Sequence, residues 1–144
     1  MPYAEKFAST SVLIIDDSDL TRELLKTVLN SFGIKTVHEA GDGLAGFEVM
    51  SRQAVDLIIC DVFMSPMHGL KFVEMLRSGQ RPPEVTGLIA TDTPIIMITA
   101  KKMKNLAEDA KAGWDAMLDK PIKPDVLLTE LLRLVKGARH GGEQ

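Results

Sequence analysis

The sequence contains one cysteine, Cys60, so an internal disulfide is excluded, and its apolar flanks make that thiol a small core residue without chemistry. No apolar run approaches the roughly 20 residues that span a bilayer. Met1 to Thr10 also lacks the charged start and apolar stretch of a signal peptide, so a cytoplasmic location without membrane insertion is expected. Lys and Arg are scattered over a chain of net charge -3, whereas a nucleic-acid partner would call for a basic stripe or patch. The three histidines, His38, His68 and His140, lack metal-ligand spacing. No glycine-rich phosphate loop with a Lys-Ser or Lys-Thr ending is present, which leaves nucleotide hydrolysis without support. Internal repeats and low-complexity tracts are missing as well.

What is there fits one globular domain: 144 residues, 45% apolar and 26% charged, enough to bury a sizeable core. Its organising stretch is Asp56-Leu57-Ile58-Ile59-Cys60-Asp61, an apolar run between two aspartates that reads as a strand buried on both faces. Ser65, Pro66 and Gly69 behind it read as the loop where the strand stops. Ser11 to Ile15 is a second such strand and ends in Asp16-Asp17. Ser18 then caps a helix whose apolar positions, Leu20, Leu24, Leu25, Val28, Leu29 and Phe32, run until Gly33. A weaker strand covers residues 34 to 39, followed by a helix from Leu44 to Arg52. Gly69 to Arg77 reads as a helix, Pro94 to Thr99 as the fourth strand, Lys101 to Ala112 as a helix, Ala116 to Asp119 as the fifth strand and Pro124 to Lys136 as the last helix. Alternating strands and helices call for a parallel sheet covered on both faces. The expected layout is an N-terminal extension at 1–10, the domain at 11–136 with an inserted loop at about 78–93, and a flexible tail or linker stub at 137–144.

In a parallel sheet the strand ends share one edge, where ligands bind. Asp16, Asp17 and Asp61 converge there, and three neighbouring carboxylates repel unless a cation sits among them; oxygen ligands of this kind suit Mg²⁺. Thr99 and Lys120 end the fourth and fifth strands and supply a hydroxyl and an ammonium for the oxygens of a phosphoryl group. Asp61 is then the natural nucleophile, forming an acyl phosphate, and Ala100 leaves space for the group. Taken singly, an aspartate after a strand is a cap or turn residue and Lys-Pro is a loop. Together, Asp-Asp, Asp, Thr-Ala and Lys-Pro end four separate strands in the order that builds one site.

With these motifs in place, residues 11 to 136 resemble the receiver domains of two-component response regulators, and specifically the single-domain, chemotaxis-regulator type. The resemblance implies a flavodoxin-like, doubly wound α/β fold: a five-stranded parallel sheet of order 2-1-3-4-5 with five helices. It implies Asp61 as phosphoacceptor, and Asp17, Asp61 and the backbone carbonyl of Phe63 as Mg²⁺ ligands assisted by Asp16. Thr99 and Lys120 contact the phosphoryl group, and the Lys120-Pro121 bond is cis. The donor is a sensor histidine kinase or a histidine phosphotransfer protein, and the chain catalyses only its own phosphorylation and slow autodephosphorylation, so it is not an enzyme in the usual sense. Output runs to an unknown protein target through the face made by the helix after the fourth strand, the fifth strand and the last helix.

The departures from the family pattern are specific. Ser65 stands where proline usually follows the methionine, with Pro66 one place later, and His68 replaces an Asp or Asn. Met117 replaces the aromatic residue three before the lysine whose swing accompanies the threonine's movement. Phe63 and Lys101 occupy the two positions that flank the water attacking the phosphoaspartate. Phe63 offers no group to orient that water, which implies slow dephosphorylation. The last helix carries an arc of Val126, Leu127, Leu128, Leu131, Leu132, Leu134 and Val135, either wholly buried or exposed along one edge for a partner or homodimer. Trp114, close to that face, is either an anchor or a half-buried aromatic. Two other functions compete: a phosphorylation-independent interaction domain, and a Mg²⁺-dependent aspartyl-phosphate phosphatase. Haloacid-dehalogenase-type enzymes of the second class carry an aspartate where Phe63 stands, which argues against it.

Overall fold

In a computed structural model, which describes residues 3–100 and 113–135, the apolar runs form strands β1 (Ser11–Ile15), β3 (Leu57–Asp61) and β4 (Ile95–Thr99), each buried along its whole length. The less apolar β2 (Thr36–Ala40) and β5 (Ala116–Asp119) lie at the two edges, where partial exposure accommodates Thr36 and Glu39. All four pairings are parallel and the order is β2-β1-β3-β4-β5, the order implied by the resemblance. Registers of Ile15 with Ala40 and Cys60, Asp61 with Ile98, and Thr99 with Asp119 bring the carboxyl ends to one edge.

The helices start and stop for local reasons. Helix α1 (Ala4–Ala8) lies within the segment read as an extension, and its Phe7 is fully buried. Helix α2 (Asp19–Ser31) begins where the Ser18 hydroxyl accepts from the Thr21 N–H at 3.1 Å. It ends at Gly33, whose φ of 100° suits a residue without Cβ. Helix α3 (Gly43–Arg52) is capped by Asp42, and α4 (Gly69–Ser78) by His68, whose Nδ1 accepts from the Leu70 N–H at 3.2 Å. Helix α5 (Pro124–Leu134) opens on proline, which lacks the N–H that a first turn leaves unused. The helix expected at Lys101 to Ala112, with Lys101 itself, and the tail at 137–144 lie outside the described residues. No helix or strand falls between Ser78 and Ile95. That connection is nevertheless tied down: Val85 is buried, and the Arg77 guanidinium donates to the carbonyls of Gly113 and Thr91, both at 2.7 Å.

Alternate strand residues feed two cores. Leu13, Ile15, Ile58, Cys60, Ile95 and Met97 pack with Phe47 of α3 and Phe72 of α4 on one face. Val12, Ile14, Leu57, Ile59, Ile96 and Ile98 pack with Phe7, Leu25, Leu29, Leu127 and Leu131 on the other. Each such side chain contributes about 1.5–3 kcal/mol on burial, enough to hold a polar and charged edge in place. Trp114 is half-buried against the first core. Of the arc on α5, Leu127, Leu131, Leu134 and Val135 are buried while Val126 and Leu132 are exposed. On α2 the helical period groups Leu20 and Leu24 with Leu25 and Leu29, but the fold separates them, leaving Leu20 and Leu24 68% and 59% exposed. Among the described residues no helix is long and apolar enough to cross a membrane.

Candidate functional site

The ends of β1 and β3 bring Asp16, Asp17 and Asp61 together, with one carboxylate oxygen of each within 4.8 Å of the others. Asp16 is fully buried and Asp61 nearly so, whereas Asp17 faces solvent. Burial, and then the charge of Asp16, push the Asp61 carboxyl above the ordinary aspartate range; Lys120 and a hydrogen bond from the Phe63 backbone amide pull the other way without prevailing. Lys120, directly after β5, places Nζ 3.1 Å from Asp16 Oδ2 and 3.6 Å from Asp61 Oδ2. The Lys120-Pro121 peptide is cis.

Asp16 has each of its polar groups engaged. Its N–H donates to the Ala40 carbonyl at 3.1 Å, its Oδ1 accepts from the Ser18 N–H at 2.8 Å, and its Oδ2 accepts from Lys120. Its carbonyl accepts from the Arg22 guanidinium. Thr99, the last residue of β4, is fully buried, and its carbonyl accepts from the Lys120 N–H at 2.8 Å, so threonine and lysine are joined through backbone. Ala100 follows and is exposed, while Met117 is half-buried against the first core. Phe63 is 39% exposed and meets the His68 ring edge-on, centroids 5.4 Å apart. The displaced proline leaves a second cis peptide, Ser65-Pro66, in the loop between β3 and α4.

Two residues near this edge were not legible in the sequence. Gly69 stands where a Cβ would come within 2.1 Å of the Asp61 carbonyl oxygen, so the loop closes tightly behind the nucleophile candidate. Arg22 reaches the site from α2, and its position one turn beyond the acidic pair is the sole sequence hint of that reach.

A sequence model of the response regulator receiver domain matches residues 12–132. The chain belongs to that family. This receiver domain is 34% identical to the Helicobacter pylori chemotaxis protein CheY1 over 128 residues, covering 88% of this chain and 96% of that protein. It is 32% identical to the Escherichia coli Regulator of RpoS over 122 residues, 84% of this chain but 33% of that protein, so it spans about a third of that relative's length. Among solved structures, the Vibrio cholerae chemotaxis protein CheY4 is similar at a TM-score of 0.73 and 31% identity, covering 88% of this chain and 99% of that one. The flavodoxin-like fold of the receiver domain, and its place in two-component signalling, follow from that membership.

The donor set of this receiver domain fits a hard divalent cation. It consists of oxygen atoms alone, it carries three negative charges against the single ammonium of Lys120, and one of its acids is both buried and disfavoured in its charged form.

Proposed function

We propose that this receiver domain accepts a phosphoryl group from a phosphohistidine onto Asp61, as the receiver of a response regulator in a phosphorelay. The observation that carries the reading is the convergence of the Asp16, Asp17 and Asp61 carboxylates within 4.8 Å with Lys120 Nζ at hydrogen-bonding distance. Asp17, Asp61 and the Phe63 carbonyl would hold Mg²⁺, with Asp16 assisting. Bound there, the cation supplies charge neutralisation for carboxylate and phosphoryl oxygens. Asp16, whose two carboxylate oxygens already accept from Ser18 and Lys120, suits the assisting role.

In the transfer, an Asp61 carboxylate oxygen forms a bond to phosphorus as the phosphorus–nitrogen bond of the phosphohistidine breaks, and the imidazole keeps the electron pair. Lys120 releases its contact with Asp61 and binds a phosphoryl oxygen. Thr99, at the adjacent strand end, donates its hydroxyl to another. The donor is a sensor histidine kinase or a histidine phosphotransfer protein. Leu20 and Leu24, exposed one turn apart on the helix that follows the acidic pair, offer it an apolar contact beside the site. Output runs through β5 and α5, where Val126 and Leu132 stand exposed, toward a protein target or a second copy. The chain catalyses its own phosphorylation and slow autodephosphorylation and works in the cytoplasm.

Incubation with Mg²⁺ and acetyl phosphate, followed by intact mass, tests this. One phosphoryl group is expected on the wild type and on Asp56→Asn, and none on Asp61→Asn. Equal labelling of Asp61→Asn overturns the assignment, and an unlabelled wild type favours the phosphorylation-independent interaction domain.

A further inference from the structure

Arg22 lies on α2, outside the cluster of acids, yet its side chain is 15% exposed and each of its three guanidinium nitrogens has a hydrogen-bond acceptor. One terminal nitrogen donates to the backbone carbonyl of Asp16, the other to the Asp19 carboxylate, and Nε donates to Glu39 Oε1 at 3.0 Å. Glu39 belongs to the edge strand β2, and its second oxygen meets Lys26 at 3.8 Å. The guanidinium therefore bridges three elements: the end of β1, the first turn of α2 and β2.

The accepting atom decides what this bridge does. The Asp16 carbonyl belongs to the peptide unit that joins Asp16 to Asp17, and a planar peptide held at its oxygen has its N–H, and hence the exit of the Asp17 Cα, set as well. Asp16 is pinned independently by Ala40, Ser18 and Lys120. Asp17 is the exposed member of the cluster, so its direction depends on the peptide before it. A planar, forked donor fixed at Asp19 and Glu39 can hold that peptide in one orientation; a flexible ammonium cannot.

We propose that Arg22 is a positioning residue, acting through the Asp16-Asp17 peptide to aim the Asp17 carboxylate at a cation shared with Asp61. This rests on the Mg²⁺-dependent reading of the site and adds a residue to it that never touches the cation. Coulomb's law separates the idea from a simple charge effect. A cation near the cluster repels Mg²⁺, so deleting Arg22 for charge alone tightens binding, whereas losing the aim of Asp17 weakens it.

The test is Mg²⁺ titration of the full chain, followed by calorimetry and by thermal stability, on the wild type, Arg22→Gln, Arg22→Lys, Asp17→Asn and the double variant Arg22→Gln/Asp17→Asn. Supporting residues of metal sites are typically worth about 10–100-fold in affinity, and Arg22→Gln is expected to weaken Mg²⁺ by roughly tenfold. Arg22→Lys should weaken it as much, because it keeps the charge and loses the fork. In the Asp17→Asn background Arg22→Gln should cost little more, since the group it aims is already gone, a non-additivity that a general loss of stability does not produce. Glu39→Gln, which loosens the guanidinium without removing it, should show a smaller loss in a protein with normal melting. Unchanged or tighter binding by Arg22→Gln, full recovery in Arg22→Lys, or additive losses with Asp17→Asn each overturn the proposal. No Mg²⁺ response in the wild type overturns the metal reading itself, which is a different result from any of these.

Discussion

Lys120→Ala removes the ammonium that stands 3.1 Å from Asp16 Oδ2 and 3.6 Å from Asp61 Oδ2, leaving the acidic cluster without its nearest counter-charge. Breaking a buried ion pair by deleting one partner costs about 3–5 kcal/mol, because the remaining charge stays buried and uncompensated. Here the carboxylates are buried but the Lys120 side chain is 23% exposed, so some of its charge was already screened. A loss of about 2–3 kcal/mol in chelator is the resulting expectation. For a domain of this size, roughly 2–4 °C of melting temperature accompany each kcal/mol, giving a drop of about 4–12 °C. Mg²⁺ should reverse much of it. A ligand at a hundred times its Kd adds about 2.7 kcal/mol, and the variant should bind Mg²⁺ more tightly than the wild type because a repelling cation is gone. Thermal melts in chelator and in Mg²⁺ read both effects, and labelling with acetyl phosphate should fall even as metal affinity rises. A variant as stable as the wild type in chelator, with an equal or smaller gain from Mg²⁺, would refute the view that Lys120 balances this cluster.

Three further outcomes are expected. Asp61 has a folded-state pKa above its unfolded one, so in chelator its share of stability is present below the ordinary aspartate value of about 4 and is lost as pH rises through the raised value. Mg²⁺ needs the charged form, so its stabilisation should fade as pH drops while still above that ordinary value; melts with and without Mg²⁺ across pH check this, and a fade confined to pH below it contradicts the assignment. Gly69→Ala should destabilise by at least about 1–3 kcal/mol, since its Cβ meets the Asp61 backbone oxygen at 2.1 Å. Gly43→Ala should cost less, because its nearest contacts are atoms of the flexible Met67 side chain and not backbone, and urea midpoints rank the two. Phe63→Asn should shorten the half-life of the phosphorylated protein after donor removal, by placing a group that can orient water two residues from Asp61; an unchanged half-life shows that Phe63 does not limit the attack.

The parts of this fold that the sequence announces are those in which one physical cause dominates. Ile58 and Ile59 have nowhere to go but a two-sided interior, so β3 and the charged residue ending it are evident from composition alone. The edge strand β2 is blurred, because His38 and Glu39 are partly solvated and follow no buried pattern. Helix α1 is too short for a period to emerge, and its purchase on the core rests on Phe7, which belongs to the same buried cluster as the sequence-distant Leu29 and Leu127. Leu20 and Leu24 obey the helical period yet lie outside, since the period fixes spacing and not which side of a broad stripe the sheet covers. Asp16, Asp17, Asp61, Thr99 and Lys120 are readable because each ends a strand or stands just past the end of one. Arg22 is not, because its local pair with Asp19 reads as an ordinary helix-surface ion pair, while the backbone carbonyl and the glutamate 17 residues away that it also holds leave no mark in local pattern.

In the proposed relay a charge change at Asp61 is passed beyond the site. Its carboxylate and that of Asp16 share the Lys120 ammonium, so neutralising or enlarging the negative charge at Asp61 alters how Lys120 divides itself between β1 and β3. Lys120 is bound through its own N–H to the carbonyl of Thr99, so any backbone movement that accompanies the lysine's change of partner is passed to the junction between β4 and β5. That junction leads through Pro121 into α5, whose buried Leu127 and Leu131 hold it rigidly to the sheet while Val126 and Leu132 face outward. Tightly packed elements move as units and not as continuous deformations. In the proposed relay the half-buried Met117 then has a passive part, repacking beside β5, and the movement that reaches the exposed face originates in the backbone link between Thr99 and Lys120.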